Sequence, residues 1–330
     1  MEKIISHLKR SKHVFIASHV NPDGDAVGSL IAAALMLETL GKKVTMYNES
    51  LIPAVYRFLP DTERIVSDFK EFDTCDTAVV LDCGDIRRVG KIAEHLSRIP
   101  VLINIDHHVT NTRFGDLNCI DTQACATAEI LYRFITMMNI PVTKALANAI
   151  YTGIVTDTGS FRFANTNKAA FSICDEMVAK GVEPYTVAQH LYGTYSLGRL
   201  KLLNLALNSI EILHNGQVSF MTLTKDMLEE TGTQSEDIDG MIHYAKRIKD
   251  VKVAVLIQER CNGLKNGQGR NSFHVSLRSD GAVDVAALAA SFGGGGHQRA
   301  AGFSAEMNLS NLKTGIINWL SNAQSGSDGA

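Results

Sequence analysis

The sequence predicts an α/β protein: an N-terminal parallel-sheet domain with helices on both faces, followed by a smaller C-terminal α+β domain. Three observations predict it. Fully apolar, β-rich runs alternate with helix-forming segments through the first half of the chain, the pattern of parallel strands covered on both faces. A length of 330 residues exceeds what one ordinary core needs. After about residue 208 the strand–turn–helix order gives way to a hairpin signal and alternating strands.

The elements follow in order. Residues 13–18 (HVFIAS) form a short apolar run, a buried strand. Asn21-Pro22-Asp23-Gly24-Asp25 is a turn. Residues 26–40 are rich in helix formers, and Gly41 is placed to end that helix. VTMYN at 44–48, TAVVLD at 77–82 and VLINID at 101–106 read as three further strands, with helices at 124–138 and 143–155. From 166 to about 208 the pattern is helical, and its last part reads as a connecting helix. Asn215-Gly216 between two β-rich runs signals a hairpin. Residues 251–259 and 272–279 are strands, 284–292 is a short helix, and four glycines follow it. NLKTGIINWL is the last helix, and SGSDGA reads as a frayed tail. The expected domains are 1–190 and 209–330, joined by a helical linker at 191–208.

Composition sets the partner class. With 32 basic and 35 acidic residues, the chain cannot coat long nucleic acid by charge alone, yet a focused site for a short anion remains open. Cys75, Cys83, Cys119, Cys125, Cys174 and Cys261 form no CxxC and no zinc-ligand spacing. They read as small buried hydrophobes in a reducing compartment. The N-terminal residues lack an apolar signal region, and no stretch approaches the ~20 apolar residues of a membrane span, so a cytoplasmic protein is expected.

The most informative segment is His19-Val20-Asn21-Pro22-Asp23-Gly24-Asp25, between a buried strand and a helix. One imidazole and two carboxylates so close are costly unless a cation neutralises the acids. The competing reading is an acidic turn with Asp25 capping the helix. Asp82-Cys83-Gly84-Asp85 ends a second apolar strand, Asp106-His107-His108 ends another, and Asp157 follows an apolar segment. Any one of these could be a cap or a turn. Together they would converge on one edge of the sheet, where open parallel sheets bind ligands.

His19, Asp23, Asp25, Asp82, His107 and Asp157 supply four carboxylates and two imidazoles, too many for one tetrahedral zinc. The set suits two six-coordinate cations sharing a bridging carboxylate and a water. Oxygen donors favour Mg²⁺ or Mn²⁺ and imidazole pulls toward Mn²⁺ or neighbours such as Co²⁺, so two Mn²⁺ are expected. Two such ions ~3.5–4 Å apart stabilise the attacking and leaving oxygens of a displacement at phosphorus. No Ser or Cys nucleophile is needed, and no GxSxG or protease-type cysteine context occurs.

A second signal is Gly293, Gly294, Gly295 and Gly296 followed by His297. Backbone N–H groups of such a loop can approach an anion closely. Neither a Walker A loop nor a Rossmann fingerprint is present. A bare glycine run reads as a flexible loop. With His297 adjacent and Arg278 ending the strand upstream, a phosphate clamp is the expectation.

HVNPDGDAVGS, VVLDCGD, DHH and TDTGSFRF, in that order, resemble the four N-terminal motifs of the DHH/DHHA1 phosphoesterase family. VSLRS and DVAALAASFGGGGHQRAAGF resemble its C-terminal signature. Length and architecture are most similar to the oligoribonuclease branch that also acts on 3′-phosphoadenosine 5′-phosphate. The resemblance implies that His19 and Asp23 bind one Mn²⁺, that Asp25, His107 and Asp157 bind the other, and that Asp82 bridges both. It implies that His108 contacts the scissile phosphate or protonates the leaving oxygen. Gly293–Gly296, His297 and Arg278 would hold the substrate's terminal phosphate or nucleotide from the opposite domain. Asp85, Arg88, Arg162 and Arg299 fall inside motifs without an implied role.

The implied activity is hydrolysis of short single-stranded oligoribonucleotides, linear dinucleotides included, to mononucleotides, and of 3′-phosphoadenosine 5′-phosphate to AMP. Phosphorylated nucleotides are then partners, long duplexes and membranes are not, and a homodimer is compatible. A single-strand exonuclease of the RecJ type should be longer and carry aromatic stacking platforms. The C-terminal glycine motif argues against a family II pyrophosphatase. A cyclic- or linear-dinucleotide-specific phosphodiesterase is the alternative enzyme. A non-catalytic, metal-dependent nucleotide-binding protein is the alternative outside enzymes, and it would show a broken ligand set.

Overall fold

The computed structural model describes residues 1–193, 195–260 and 272–325. Cys261 and residues 326–330 of the expected tail lie outside them. The chain divides into two compact units, Met1–Thr194 and Tyr195–Ala330.

The first unit runs α1 (Glu2–Arg10), β1 (His13–Ala17), α2 (Gly24–Thr39), β2 (Lys43–Tyr47), β3 (Thr77–Leu81), β4 (Leu102–Asp106), β5 (Leu117–Ile120), α3 (Thr127–Met137), α4 (Lys144–Asp157), α5 (Lys168–Ala179) and α6 (Pro184–Tyr192). The strands form one parallel sheet in the order β2-β1-β3-β4-β5. Every residue of β1 and β3 is buried, which is why both read as unbroken apolar runs. The chain reverses its strand order between β1 and β3, so the loops leaving these strands diverge and open a crevice at their carboxyl ends.

The α-helices pack on one face, where Val14, Ile16, Val79 and Ile103 meet Leu30, Phe134 and Ile150. The opposite face carries Phe15, Tyr47 and Val80, covered by Val89, Ile92 and Leu96. The covering layer there is 3₁₀ rather than α: Ile86–Val89 and Lys91–Arg98 are short 3₁₀ segments separated by Gly90 at φ 85°, where no long helix can propagate.

Two glycines set how closely α2 and α4 cross. A Cβ on Gly28 would lie 2.5 Å from the Ala149 carbonyl oxygen, and one on Gly153 would lie 2.9 Å from Asp25 Oδ1. Their absence of side chains draws α4 against the first turn of α2, where Asp25 sits.

The second unit runs α7 (Leu197–Asn208), β6 (Glu211–Leu213), β7 (Val218–Leu223), α8 (Lys225–Thr231), α9 (Ile242–Lys246), β8 (Val253–Arg260), β9 (Ser272–Ser279), α10 (Val285–Ser291), β10 (Gly295–His297), β11 (Ala300–Glu306) and α11 (Leu309–Ser325). Its sheet order is β10-β11-β9-β8-β7-β6, antiparallel except for β7 with β8. The hairpin expected at Asn215-Gly216 joins β6 to β7. One face packs Val255, Val275 and Phe303 on Leu288, Leu312 and Ile316. The other packs Met221 and Leu256 on Ile242 and on Leu202 and Ala206 of α7. The sequence reads 191–208 as a linking helix. From residue 197 that segment instead contributes buried apolar side chains to the second unit's core.

The four glycines are not all loop, contrary to the expectation for that run. Gly295 and Gly296 pair with Gly302 and Ala301 as part of strand β10. The reason is close backbone packing: a Cβ on Gly294 would lie 2.2 Å from the Gly302 carbonyl oxygen, and one on Gly296 would lie 2.5 Å from that of Ala300. Cys75, Cys83, Cys125 and Cys174 are buried free thiols and Cys119 is half-buried. Burial pushes Cys83 and Cys174 up to about 12, which suits inert packing groups.

Candidate metal centre and active site

The loops leaving β1 and β3 bring acids and imidazoles into the crevice. His19 is buried, and its Nδ1 donates to the Val20 carbonyl at 2.9 Å. That bond places the ring proton on Nδ1 and leaves the Nε2 lone pair facing Asp82 Oδ2 at 3.6 Å and Asp23 Oδ2 at 4.0 Å. His107 repeats the device: Nδ1 faces the Ala124 carbonyl at 3.3 Å, while Nε2 lies 3.6 Å from Asp157 Oδ2 and 3.7 Å from Asp82 Oδ1. A carbonyl holding one ring nitrogen while the other points at carboxylates is the arrangement of metal-ligating histidine.

Asp82 stands at the middle. It follows β3 with φ 53°, a left-handed conformation that costs a non-glycine residue energy and turns its carboxylate into the crevice. Its two oxygens serve two sides. Oδ2 faces His19, whereas Oδ1 faces His107 and accepts from Thr127 Oγ1 at 3.1 Å. Burial opposes ionisation of Asp82, but the imidazoles of His19, His108 and His107 hold its carboxyl well below the usual range.

Asp23 and Asp25 divide the capping work differently from the competing capping reading. Asp23 is the N-cap of α2, with Oδ1 accepting from Asp25 N at 3.1 Å and Ala26 N at 3.0 Å. Its Oδ2 is left to face His19. Asp25, the cap in the competing reading, instead accepts from Thr127 N at 2.6 Å and Ala128 N at 2.9 Å, at the start of α3. Burial pushes the Asp25 carboxyl well above its usual range, with Asp82, Asp157 and Asp23 adding repulsion. Asp157 ends α4, at the negative end of the helix dipole, and is held by Asn165 Nδ2 at 2.9 Å. Burial pushes it up to about 7.

These acids are crowded, and a bound divalent cation would relieve their mutual repulsion. Three donor groups each converge within 4.8 Å: His19, Asp23 and Asp82; Asp25, His107 and Asp157; and Asp82, His107 and His108. The first two contain all six residues singled out as ligands in the sequence. In the third, His108 Nδ1 lies 3.7 Å from Asp82 Oδ1 but is already bonded to Asp106, which makes it the weakest donor of the set. The oxygen-rich donors and correctly oriented imidazoles fit divalent cations.

The family model described as "DHH family, N-terminal domain" matches residues 13–154, and the one described as "DHHA1 domain" matches residues 215–322. The chain is 33% identical over 294 residues to the bifunctional oligoribonuclease and PAP phosphatase NrnA of Thermus thermophilus, covering 88% of this chain and 83% of that one. The chain belongs to the DHH/DHHA1 family of phosphoesterases. It is 28% identical to the NrnA protein of Bacillus subtilis, over 88% of each chain. A crystal structure of an exopolyphosphatase-related protein from Bacteroides fragilis superposes with a TM-score of 0.87 at 26% identity, covering 97% of each chain.

Within this DHH domain the name-giving tripeptide splits its work. His107 faces the donors. Asp106 is buried and takes the Nδ1 proton of His108 at 2.6 Å, while Asn111 Nδ2 donates to its other oxygen at 2.6 Å. Burial disfavours a charged His108, yet Asp106 and Asp82 raise it to about 9. The sequence flagged Asp106 in a cluster without giving it a role. Asn165, Thr127 and Asn111 were not singled out at all, since a lone Asn or Thr in a polar stretch carries no signal.

In the DHHA1 domain, Arg278 and His297 sit on β9 and β10, on either side of β11, and Arg278 pairs in register with Ala300. Arg278 is half-buried, and its Nη1 donates to the Leu277 carbonyl at 2.9 Å. Gly293 at φ 79° and Gly295 have open space where a side chain would be, so packing explains neither.

Proposed function

We propose that this phosphoesterase hydrolyses short oligoribonucleotides, linear dinucleotides included, to mononucleotides and converts 3′-phosphoadenosine 5′-phosphate to AMP. The observation that carries the reading is the pair of donor groups facing the two oxygens of one buried carboxylate, Asp82. The names of the Thermus and Bacillus relatives supply the substrate class.

In this reading His19, Asp23 and Asp82 hold one divalent cation, and Asp82, Asp25, His107 and Asp157 hold the other, with Mn²⁺ the preferred ion. Such ions supply positive charge to a phosphoryl transition state and make water acidic enough to react near neutral pH. The protein's own groups do the rest. Asp106 fixes the His108 ring so that the imidazolium can contact the phosphoryl group or give a proton to the leaving oxygen. Arg278 and His297, with Gly293 and Gly295, bind the substrate's terminal phosphate. A cytoplasmic location belongs to the same reading, and among the described residues no helix is long and apolar enough to cross a membrane.

The test is a panel of dinucleotides, pentanucleotides, 3′-phosphoadenosine 5′-phosphate and pyrophosphate assayed with Mn²⁺. Turnover of the short ribonucleotides and of 3′-phosphoadenosine 5′-phosphate, with little on pyrophosphate, is expected. Turnover of pyrophosphate alone would contradict it.

A further inference from the structure

We propose that Arg88 is a phosphate-contact residue, its guanidinium binding the non-reacting oxygens of the phosphoryl group presented to the His19 and Asp82 donors. The inference rests on the phosphoesterase reading of this site. Four charged residues, Asp85, Arg88, Arg162 and Arg299, lie inside the sequence motifs with no implied role. Asp85 caps the 3₁₀ turn Ile86–Val89 and is taken up by Arg87, whose Nε lies 2.9 Å from Oδ1 and whose Nη2 lies 2.5 Å from Oδ2. Arg162 donates from Nε to the Gly159 carbonyl in its own turn. Arg299 lies against Gly281 in the second unit.

Arg88 differs from all of these. Its side chain is exposed and makes no salt bridge or side-chain hydrogen bond among the described residues. Asp85, three residues before it, is engaged by Arg87, and Glu49 is engaged by Lys91. Its backbone is pinned to the site: the Arg88 carbonyl accepts from Val20 N at 2.7 Å, next to His19. The chain stays close there, because a Cβ on Gly90 would lie 2.9 Å from Val20 Cγ1.

A permanently charged, forked donor beside a metal-ligand cluster, with no acid of its own, matches the needs of a phosphate dianion. It would neutralise charge on the oxygens that the cations leave uncovered, the role arginine takes on phosphoryl groups generally.

The experiment titrates inorganic phosphate into the Mn²⁺-loaded protein and its Arg88→Gln, Arg88→Lys and Arg87→Gln variants, and measures Mn²⁺ stoichiometry and dinucleotide KM for each. The expected result is phosphate affinity and KM weakened on the order of 10- to 100-fold in Arg88→Gln, the size of one charge-assisted hydrogen bond. Arg88→Lys should recover part of it, Arg87→Gln should match wild type, and Mn²⁺ stoichiometry should be unchanged throughout. Unchanged phosphate affinity in Arg88→Gln, or an equal loss in Arg87→Gln, overturns the inference while leaving the phosphoesterase reading intact. A wild-type protein that turns over no nucleotide, yet whose phosphate affinity still depends on Arg88, overturns the substrate reading and supports this one.

Discussion

Asp106 accepts the Nδ1 proton of His108 at 2.6 Å and takes no part in the two donor groups around Asp82 and its six-residue set. The pair therefore separates ring orientation from metal binding. Asp106→Asn keeps the shape but removes the charge. Its kcat should fall on the order of 10- to 100-fold, within the range of one general acid–base contribution. KM and Mn²⁺ stoichiometry should stay near wild type. Steady-state kinetics alongside metal analysis checks this, and loss of metal in Asp106→Asn would mean the carboxylate belongs to the ligand set.

Asp157 carries a pH signature. Its folded carboxyl is pushed up to about 7 by burial, against an ordinary value of 3.8. The folded state thus binds a proton that the unfolded state has released. Metal-free protein should lose stability as pH rises through the window from about 4 to about 7. Asp157→Asn removes the charge and should flatten that slope. In chelator at pH 7.5 the melting of its first unit should sit about 2–4 °C above wild type, the shift expected for about 1 kcal/mol in a domain of roughly 200 residues. With metal restored, the same variant should be impaired. Thermal melts at pH 5 and pH 7.5 in chelator decide the matter, and parallel slopes for the two proteins would refute it.

Gly28 is a packing requirement of the α2–α4 crossing. Replacing a helical glycine with alanine ordinarily stabilises by up to ~1 kcal/mol. Here the added methyl meets the Ala149 carbonyl oxygen at 2.5 Å. Gly28→Ala should destabilise by about 1–3 kcal/mol, the usual range for overpacking. Urea unfolding reads the effect, and a variant more stable than wild type would show that the crossing relaxes freely.

His297 tests the second unit's part. His297→Ala should raise KM for dinucleotides and for 3′-phosphoadenosine 5′-phosphate several-fold, with kcat and Mn²⁺ binding near wild type. A fall in kcat at unchanged KM would argue against a binding role.

Much of this was legible in the sequence, for physical reasons. Strands buried on both faces, such as Val14–Ala17 and Ala78–Leu81, admit only apolar residues, so β1 and β3 stand out. Their ends carry His19 and Asp82, which is why the donors could be found before their geometry. Strand β5 was missed because LNCI is an edge of four half-buried residues with a polar one among them. Asp157 gave no hint that it ends a helix whose dipole disfavours its charge. The division of capping between Asp23 and Asp25 depends on α3 arriving from a hundred residues away, and no local pattern encodes that. Glycines 294 and 296 looked like ligand-binding loop residues, but backbone crowding against β11 explains them.

The most direct measurement is the number of Mn²⁺ ions bound per chain at saturation, by equilibrium dialysis with elemental analysis, for the wild-type protein and Asp82→Asn. Two ions in the wild type, with fewer in Asp82→Asn and activity lost in step, is the predicted result. One ion or none in the wild type, or two ions and full activity in Asp82→Asn, would contradict it.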